Sequence, residues 1–290
     1  DCMLFLLLSV LFYSINNVLW IQSLKIATPW LLMLGRASIT AFFSLTILLL
    51  FYMDSIYNLT IQQIIYVNIA SVTGAIGLAF MLSALKKGGL ILFGMYTLLG
   101  VFLTALYLIL VEGFNVLNYI GGGLLVVLGY ILYLWENRST NTNTQSVTTH
   151  LKFMGMIVFF TTSGIIHWYN VAANVLPLYM VVNQELVVFI FGLTGYLIFE
   201  HRKKTQPVYT SLQQVAKNLL LMSLVIFLAV LTGFLGLYKT DPLVAALVAL
   251  GTPILTMLFG LFLLKEKIAV KTALALVLII TGALMLQLFL

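Results

Sequence analysis

Polar side chains recur at helical spacing inside two of the most apolar stretches of the chain. They are Asn16, Asn17 and Trp20 near the start, and His167, Trp168 and Asn170 beyond the middle. Because residues three or four apart share a helix face, each set forms a polar stripe. Membrane helices do not expose amides to lipid cheaply, so the two stripes predict an internal site that binds a polar solute. Two alternatives stay open: hydrogen bonding between helices for the amides, and an interfacial aromatic belt for the tryptophans.

A carboxylate lies inside the apolar run "MVVNQELVVFIFG" (180–192). Glu185 is eight residues past Pro177, and a charge at that depth costs about 2.5–3.5 kcal/mol to insert. Glu185 must therefore be neutralised, paired or hydrated. Three interpretations remain: it binds a transported proton, it pairs with Arg36 at a similar depth in an earlier stretch, or it binds a substrate amine. His167 is a second candidate for proton handling, because its reference pKa is near neutral.

Two further residues belong to the predicted site. Tyr96 lies on one helix face with Gly100, Thr104 and Tyr107, and its ring suits an organic solute with an apolar portion. Pro253 follows Thr252 inside another apolar stretch, where proline removes a backbone donor and frees a carbonyl. We expect a kink there, which could act as a gate or could be a static bend.

Composition identifies the elements that position these residues. The chain of 290 residues is 62% hydrophobic and 8% charged, with a mean hydropathy of +1.14. These values predict an all-α integral membrane protein, in which about 20 apolar residues form each crossing. Ten spans are predicted, at residues 3–22, 30–52, 62–85, 89–111, 116–135, 152–172, 176–199, 213–237, 241–264 and 268–289.

The predicted organisation is two five-helix repeats, 1–135 and 152–290, joined by a polar linker at 136–151. A shift of 148 aligns Trp20 with Trp168 and Pro29 with Pro177, and a larger shift aligns Gly129 with Gly282. Five is an odd number, so the second copy has the opposite orientation in the membrane. Equivalent loops also differ in Lys and Arg content, always with the excess on one side, as inverted repeats require.

Loop charge places the linker in the cytoplasm and both termini outside. The +6 net charge follows from basic side chains at span ends and shows no patch suited to nucleic acid. Cys2 is the single cysteine, so neither an intrachain disulfide nor a cysteine-built metal site is possible. We predict no metal and no cofactor.

The segment "TDPLVAALVALGTPILTMLFGLFLLKEKIAVKTALALVLIITGALML" (240–286) resembles the EamA-like branch of the drug/metabolite transporter superfamily. The resemblance rests on Thr252, Pro253, Glu266 and Gly282. In the first half, "MLGRASITAFF" (33–43) and "SALKKGG" (83–89) are similar to the family pattern. The chain departs from it in "GMYTLLG" (94–100), which has no proline, and in its loop charge, since the family usually keeps its termini cytoplasmic.

The resemblance implies a ten-helix carrier of small organic solutes with a cavity lined chiefly by helices 1, 3, 4, 6, 8 and 9. We expect export of amino acids or related metabolites by alternating access, in the lipid bilayer of a bacterial inner membrane and with protons as a possible second solute. The alternative is a carrier of nucleoside or nucleotide derivatives or of organic cations. An intramembrane enzyme or a channel subunit is less favoured, because no hydrolase elbow, zinc-binding helix or paired-aspartate motif occurs. A monomer is plausible.

Overall fold

The computed structural model describes residues 2–53, 59–111, 113, 115–139, 146–200, 212–237 and 248–288. The helices are α1 (Cys2–Ser23), α2 (Pro29–Phe51), the segment Ile61–Val111, α5 (Leu117–Ser139), α6 (Val147–Ala172), α7 (Pro177–Gly195), α8 (Leu212–Leu237), α9 (Gly251–Phe262) and α10 (Val270–Gln287). A π-helical turn, Tyr196–Glu200, extends α7. Pro29 and Pro177 begin α2 and α7, where the missing proline N–H would have no helical partner in any case.

Ile61–Val111 is a helical hairpin that reverses at Gly89. We call its arms α3 (61–88) and α4 (90–111). A straight helix of this length would span roughly 76 Å, more than twice the apolar core of a bilayer. Along α6, Phe153, Phe160 and Ser163 contact Gly88, Gly77 and Gly74 of α3, whereas His150, Thr161 and Tyr169 contact Tyr96, Gly100 and Tyr107 of α4. Thus α3 is antiparallel to α6 and α4 is parallel to it. Gly89 makes the reversal with a φ of 74°, which favours glycine.

The helices pack in antiparallel pairs that join the first part of the chain to the second. These pairs are α1 with α8, α2 with α7, α3 with α6, α4 with α9 and α5 with α10. Small residues allow the close approach. A Cβ at Gly122 would lie 2.8 Å from the Gly282 carbonyl oxygen, and one at Gly192 would lie 2.7 Å from the Leu34 nitrogen. Backbones in α5–α10 and α2–α7 are therefore nearly in contact.

One end of the bundle, which we call the linker end, carries the positive charge. The end of α5, the start of α6 and Gly89 lie here. The end of α1 and the start of α8 meet at the same end, where Asn218 contacts Ser23. The start of α2 and the end of α7 also meet here, where Thr28 donates a hydrogen bond to Glu200. Every lysine in the described part of the chain lies near this end. They are Lys25, Lys86, Lys87, Lys152, Lys217, Lys265, Lys267 and Lys271. The described chain ends, Cys2 and Leu288, lie at the opposite end.

Six helical segments of the described chain, the hairpin among them, are long and apolar enough to cross a membrane. Shorter apolar helices cover Tyr119–Trp135, Gly251–Phe262 and Val270–Leu286. Outward-facing side chains are apolar, with Phe42 68% and Leu50 70% exposed. The expected all-α membrane architecture is confirmed, whereas the count of ten crossings and the inverted repeat stay predictions. The predicted span 241–264 and the linker lie partly outside the described residues.

Candidate functional site

Arg36 of α2 and Glu185 of α7 form a buried ion pair. Arg36 Nη1 donates to Glu185 Oε1 at 3.0 Å, and Nη2 lies 2.9 Å from Oε2. Each side chain is only 3% exposed. They lie seven and eight residues past the prolines that begin their helices, a rise of roughly 10–12 Å from each end. This geometry is the contact required by one of the three interpretations of Glu185, and the close ion pair neutralises both charges. Glu185 Oε2 lies at ion-pair distance from Arg36 but has no hydrogen-bond partner.

Aromatic side chains of α1 surround the pair. The guanidinium of Arg36 lies 5.7 Å from the ring centroid of Trp20, which suits a cation–π interaction. Tyr13 is within electrostatic range of both Glu185 and Arg36. Trp20 is 1% exposed and therefore does not belong to an interfacial belt. Trp168 is 46% exposed and packs edge-on against Tyr169, so the structure does not bring it into this buried group.

Several buried polar atoms near these helices have no hydrogen-bond partner among the described residues. We call them the unpaired set: Asn16 Oδ1, Arg36 Nε, both ring nitrogens of His167, Asn170 Nδ2 and Asn183 Oδ1. They come from α1, α2, α6 and α7. An unpaired polar group in an apolar interior is costly, and buried groups of this kind usually bind water or ligand. The set offers both donors and acceptors, and the charges of Arg36 and Glu185 cancel.

Other predicted site residues already have protein partners. Asn17 Nδ2 donates to the hydroxyl of Thr256 at 3.1 Å, which joins α1 to α9. The hydroxyl of Tyr96 lies 2.9 Å from His150 Nδ1, and its ring stacks on Phe153. Tyr96 lies towards the linker end in this aromatic cluster. Neither residue contributes an atom to the unpaired set, and their predicted roles in binding stay predictions.

Pro253 lies in the first turn of α9. Helical residues 248 and 249 precede a turn at Leu250, and the helix resumes at Gly251. Proline has no N–H for the carbonyl of Ala249, four residues earlier, which accounts for the interruption. Pro253 is buried, and its own carbonyl would lie 2.9 Å from a Cβ placed at Gly94 of α4. The predicted role as a gate stays a prediction.

A cavity of about 190 Å³ opens between α1, α8 and α9, away from the linker end. Its lining is mainly apolar: Leu6, Ser9, Val10, Tyr13, Val230, Gly233, Phe234, Val248, Ala249 and Thr252. Tyr13 lies between this cavity and the ion pair. Phe234 has its ring 5.6 Å from that of His167, in an edge-on contact. The cavity is thus separated from the buried polar residues by two aromatic side chains.

Sequence reasoning named both residues of the ion pair and most residues of the unpaired set. It did not name Asn183 as a site residue, and it did not predict the contact that Glu266 makes. Asn183 was evident only as a polar residue in an apolar run; it donates to Asn68 Oδ1 at 3.3 Å and keeps its own Oδ1 unpaired. Glu266 was recognised only as part of the family pattern, and it binds the start of α4. No spacing signal links Glu266 to a site 176 residues away. Among the described residues, no group of three or more His, Cys, Asp or Glu could hold a metal.

A bundle of apolar helices that encloses a charge pair and unpaired amides defines an integral, multi-pass membrane protein with an internal polar site. Residues 147–288 match the EamA-like transporter family, so the second half of the chain is similar to that family.

The fold also matches solved structures. One crystal structure has a TM-score of 0.66 and 18% sequence identity, covering 98% of this chain and 95% of that chain. At this identity the match supports the fold alone. Among curated proteins, none matches the sequence.

Proposed function

We propose that this protein carries small organic metabolites across a membrane by alternating access, and that it exports amino acids or related metabolites. The observation that carries the proposal is the unpaired set on α1, α2, α6 and α7, which is buried in the same bundle as the Arg36–Glu185 pair. A solute with both donors and acceptors would satisfy these atoms, and the neutral pair does not require a solute of either net charge. Transport needs modest affinity, and a few hydrogen bonds supply it.

The helix packing supports ten crossings arranged as an inverted repeat. If helices one to five are equivalent to six to ten, a two-fold axis in the membrane plane makes equivalent helices antiparallel. The pairs α2–α7, α4–α9 and α5–α10 map onto themselves under this operation, and α1–α8 maps onto α6–α3. The three pairs that map onto themselves are antiparallel, as the axis demands, and α1–α8 and α3–α6 share one orientation, as exchanged pairs must.

Individual contacts support the same repeat. The alignment of Gly129 with Gly282 is a shift of 153, which also makes Gly122 equivalent to Ala275. Under this shift the contact between Gly122 and Gly282 becomes a contact between Ala275 and Gly129. That contact exists, because a Cβ at Gly129 would lie 2.9 Å from the Ala275 carbonyl oxygen. The repeat is therefore supported at the level of residue pairs in α5 and α10.

The positions of the lysines and of the cavity support an orientation of the bundle in the membrane. The lysines of the linker end favour a cytoplasmic location for that end. The cavity between α1, α8 and α9 lies towards the other end, while polar contacts close the linker end. We propose that the structure represents the state that faces away from the cytoplasm.

Counterflow in proteoliposomes tests the proposed function. The panel contains amino acids, nucleosides and organic cations, and the variants are Asn16→Ala and Asn170→Ala, which remove members of the unpaired set. Asn218→Ala is the matched control, because Asn218 contacts Ser23 at the linker end and is not a member. We expect saturable counterflow of an amino acid that both site variants reduce and the control retains. Absence of counterflow for the whole panel would refute the carrier function.

A further inference from the structure

Glu266 fastens the start of α4 to the segment between α9 and α10. Its Oε1 accepts a hydrogen bond from the Leu90 N–H at 2.8 Å, and its Oε2 accepts one from the Ile91 N–H at 3.0 Å. The first N–H groups of a helix lack partners within that helix, and the helix dipole favours a negative charge there. The carboxylate therefore satisfies two otherwise unpaired donors across the two halves of the chain.

The backbone on both sides is shaped for this contact. Gly89 has a φ of 74°, and a Cβ there would lie 2.8 Å from Glu266 Oε1. Lys265 has a φ of 54°, a backbone conformation that residues other than glycine rarely adopt. The Glu266 N–H donates to the Gly260 carbonyl at 3.0 Å, which fixes the carboxylate relative to α9. Gly89 and Lys265 thus both have a positive φ beside the contact between Glu266 and α4.

The rest of the contact between α4 and α9 is close and mainly apolar. A Cβ at Gly94 would lie 2.3 Å from Met257 Cγ, and one at Gly260 would lie 3.1 Å from Leu90 Cβ. In lipid, apolar helix surfaces gain no hydrophobic driving force from each other, so association depends on packing and on interhelical hydrogen bonds. The two hydrogen bonds of Glu266 are therefore a distinct contribution that holds this interface closed at the linker end.

Contacts of a different kind keep α3 and α4 together with α6. Ser163 of α6 donates to the Ala70 carbonyl of α3 at 2.8 Å. The hydroxyls of Tyr107 in α4 and Tyr169 in α6 lie 2.9 Å apart, and Tyr96 contacts His150 near the other end. These bonds occur along the length of the helices. The interface between α4 and α9 is instead fastened by Glu266 at one end.

We infer that Glu266 is a releasable latch: the step that opens the linker end breaks its two hydrogen bonds and separates α4 from α9. This inference rests on the proposed alternating access. A static helix cap would have the same hydrogen bonds but would stay intact through the transport cycle. The two roles differ in whether α4 and α9 must move apart.

A reversible cross-link tests that movement. In a Cys2→Ser background, Leu90→Cys with Gly260→Cys places two thiols on Cβ positions 3.1 Å apart, near the range that a disulfide needs. We expect oxidation to reduce counterflow about tenfold or more, and reduction to restore it, because the opening step is blocked. The matched control is Gly74→Cys with Ser163→Cys, whose Cβ positions are 3.8 Å apart across α3 and α6. Its cross-link should leave counterflow within about twofold, since these helices move together.

Thiol labelling provides a readout that does not depend on transport. Met257→Cys, in the same background, reports exposure of the α4–α9 interface to a membrane-impermeant maleimide applied at the linker end. Glu266→Gln retains one acceptor of the two, and we expect it to raise the labelling rate severalfold. Lys267→Gln is the control, because it changes one charge in the same turn without touching the hydrogen bonds.

The outcomes separate the latch from the transport function. Counterflow that is unaffected by the Leu90–Gly260 cross-link overturns the latch and leaves the carrier intact. Equal labelling in Glu266→Gln and Lys267→Gln proteins overturns it as well, even if no transported solute has been found. If the Glu266→Gln protein does not fold, the Leu90–Gly260 cross-link in protein with the native Glu266 still tests whether α4 and α9 must separate.

Discussion

Both terminal nitrogens of the Arg36 guanidinium face the two carboxylate oxygens of Glu185, while Arg36 Nε has no hydrogen-bond partner among the described residues. Glu185 thus occupies one side of the guanidinium, and Nε on the other side is unpaired. An internal charge pair that still offers a donor can hold the helices together and contact a solute.

The charge pair predicts a specific pattern of stability. Arg36→Met or Glu185→Leu alone leaves one charge buried without its partner, and we expect each to lower the free energy of unfolding by about 3–5 kcal/mol. The double variant removes both charges, and its stability should return close to wild type. Thermal unfolding in detergent measures this cycle. Additive losses in the double variant would contradict a direct interaction.

The two glycines of the α5–α10 contact should tolerate no side chain. Gly122→Ala and Gly282→Ala each place a methyl group under 3 Å from backbone atoms of the partner helix. Overpacking of this kind costs about 1–3 kcal/mol, and backbone cannot rotate away as a side chain can. Gly164→Ala is the control, because no heavy atom lies within 4 Å of its added Cβ. Thermal melting that treats all three alike would refute the close approach.

The two tryptophans predicted from the repeat should behave differently. Trp20→Ala removes a fully buried ring beside Arg36, and we expect a loss of about 3–5 kcal/mol. Trp168→Ala changes a half-exposed ring and should alter stability by about 0.5 kcal/mol or less. Tryptophan fluorescence offers a second measurement: an aqueous quencher should affect Trp168 much more than Trp20. Equal quenching would place Trp20 at the surface.

Single cysteines test the inverted arrangement of the bundle. In Cys2→Ser protein, Lys25→Cys and Lys267→Cys lie at the linker end, and Gly113→Cys lies at the opposite end. A membrane-impermeant maleimide added to oriented vesicles should label the first two from one face and the third from the other. Labelling of Lys25→Cys and Lys267→Cys from opposite faces is incompatible with the proposed topology.

The burial of these polar residues inside the bundle was predictable from sequence, because exposing a polar side chain to lipid is costly. Asn16, Arg36, Asn170 and Glu185 were each evident as exceptions in apolar runs, and all four are buried in the structure. The pairing of Arg36 with Glu185 was one of three interpretations, and it followed from the repeat alignment and from their similar depths in α2 and α7. Such arguments work when the environment is uniform and the helix is regular.

Other features depend on which helices meet, and sequence patterns do not encode that. Tyr96 was predicted as a site residue from its face on α4, but His150 and Phe153 of α6 enclose it. Trp168 has the same residue type as Trp20 but lies at the bundle surface. Glu266 acts through the backbone of α4, and a backbone N–H has no signature in the sequence.

The reversal at Gly89 leaves almost no chain outside the bundle between α3 and α4. An epitope tag or a fused domain placed there would interrupt two helices at once. This corner therefore has no room for an inserted segment that would leave both α3 and α4 intact.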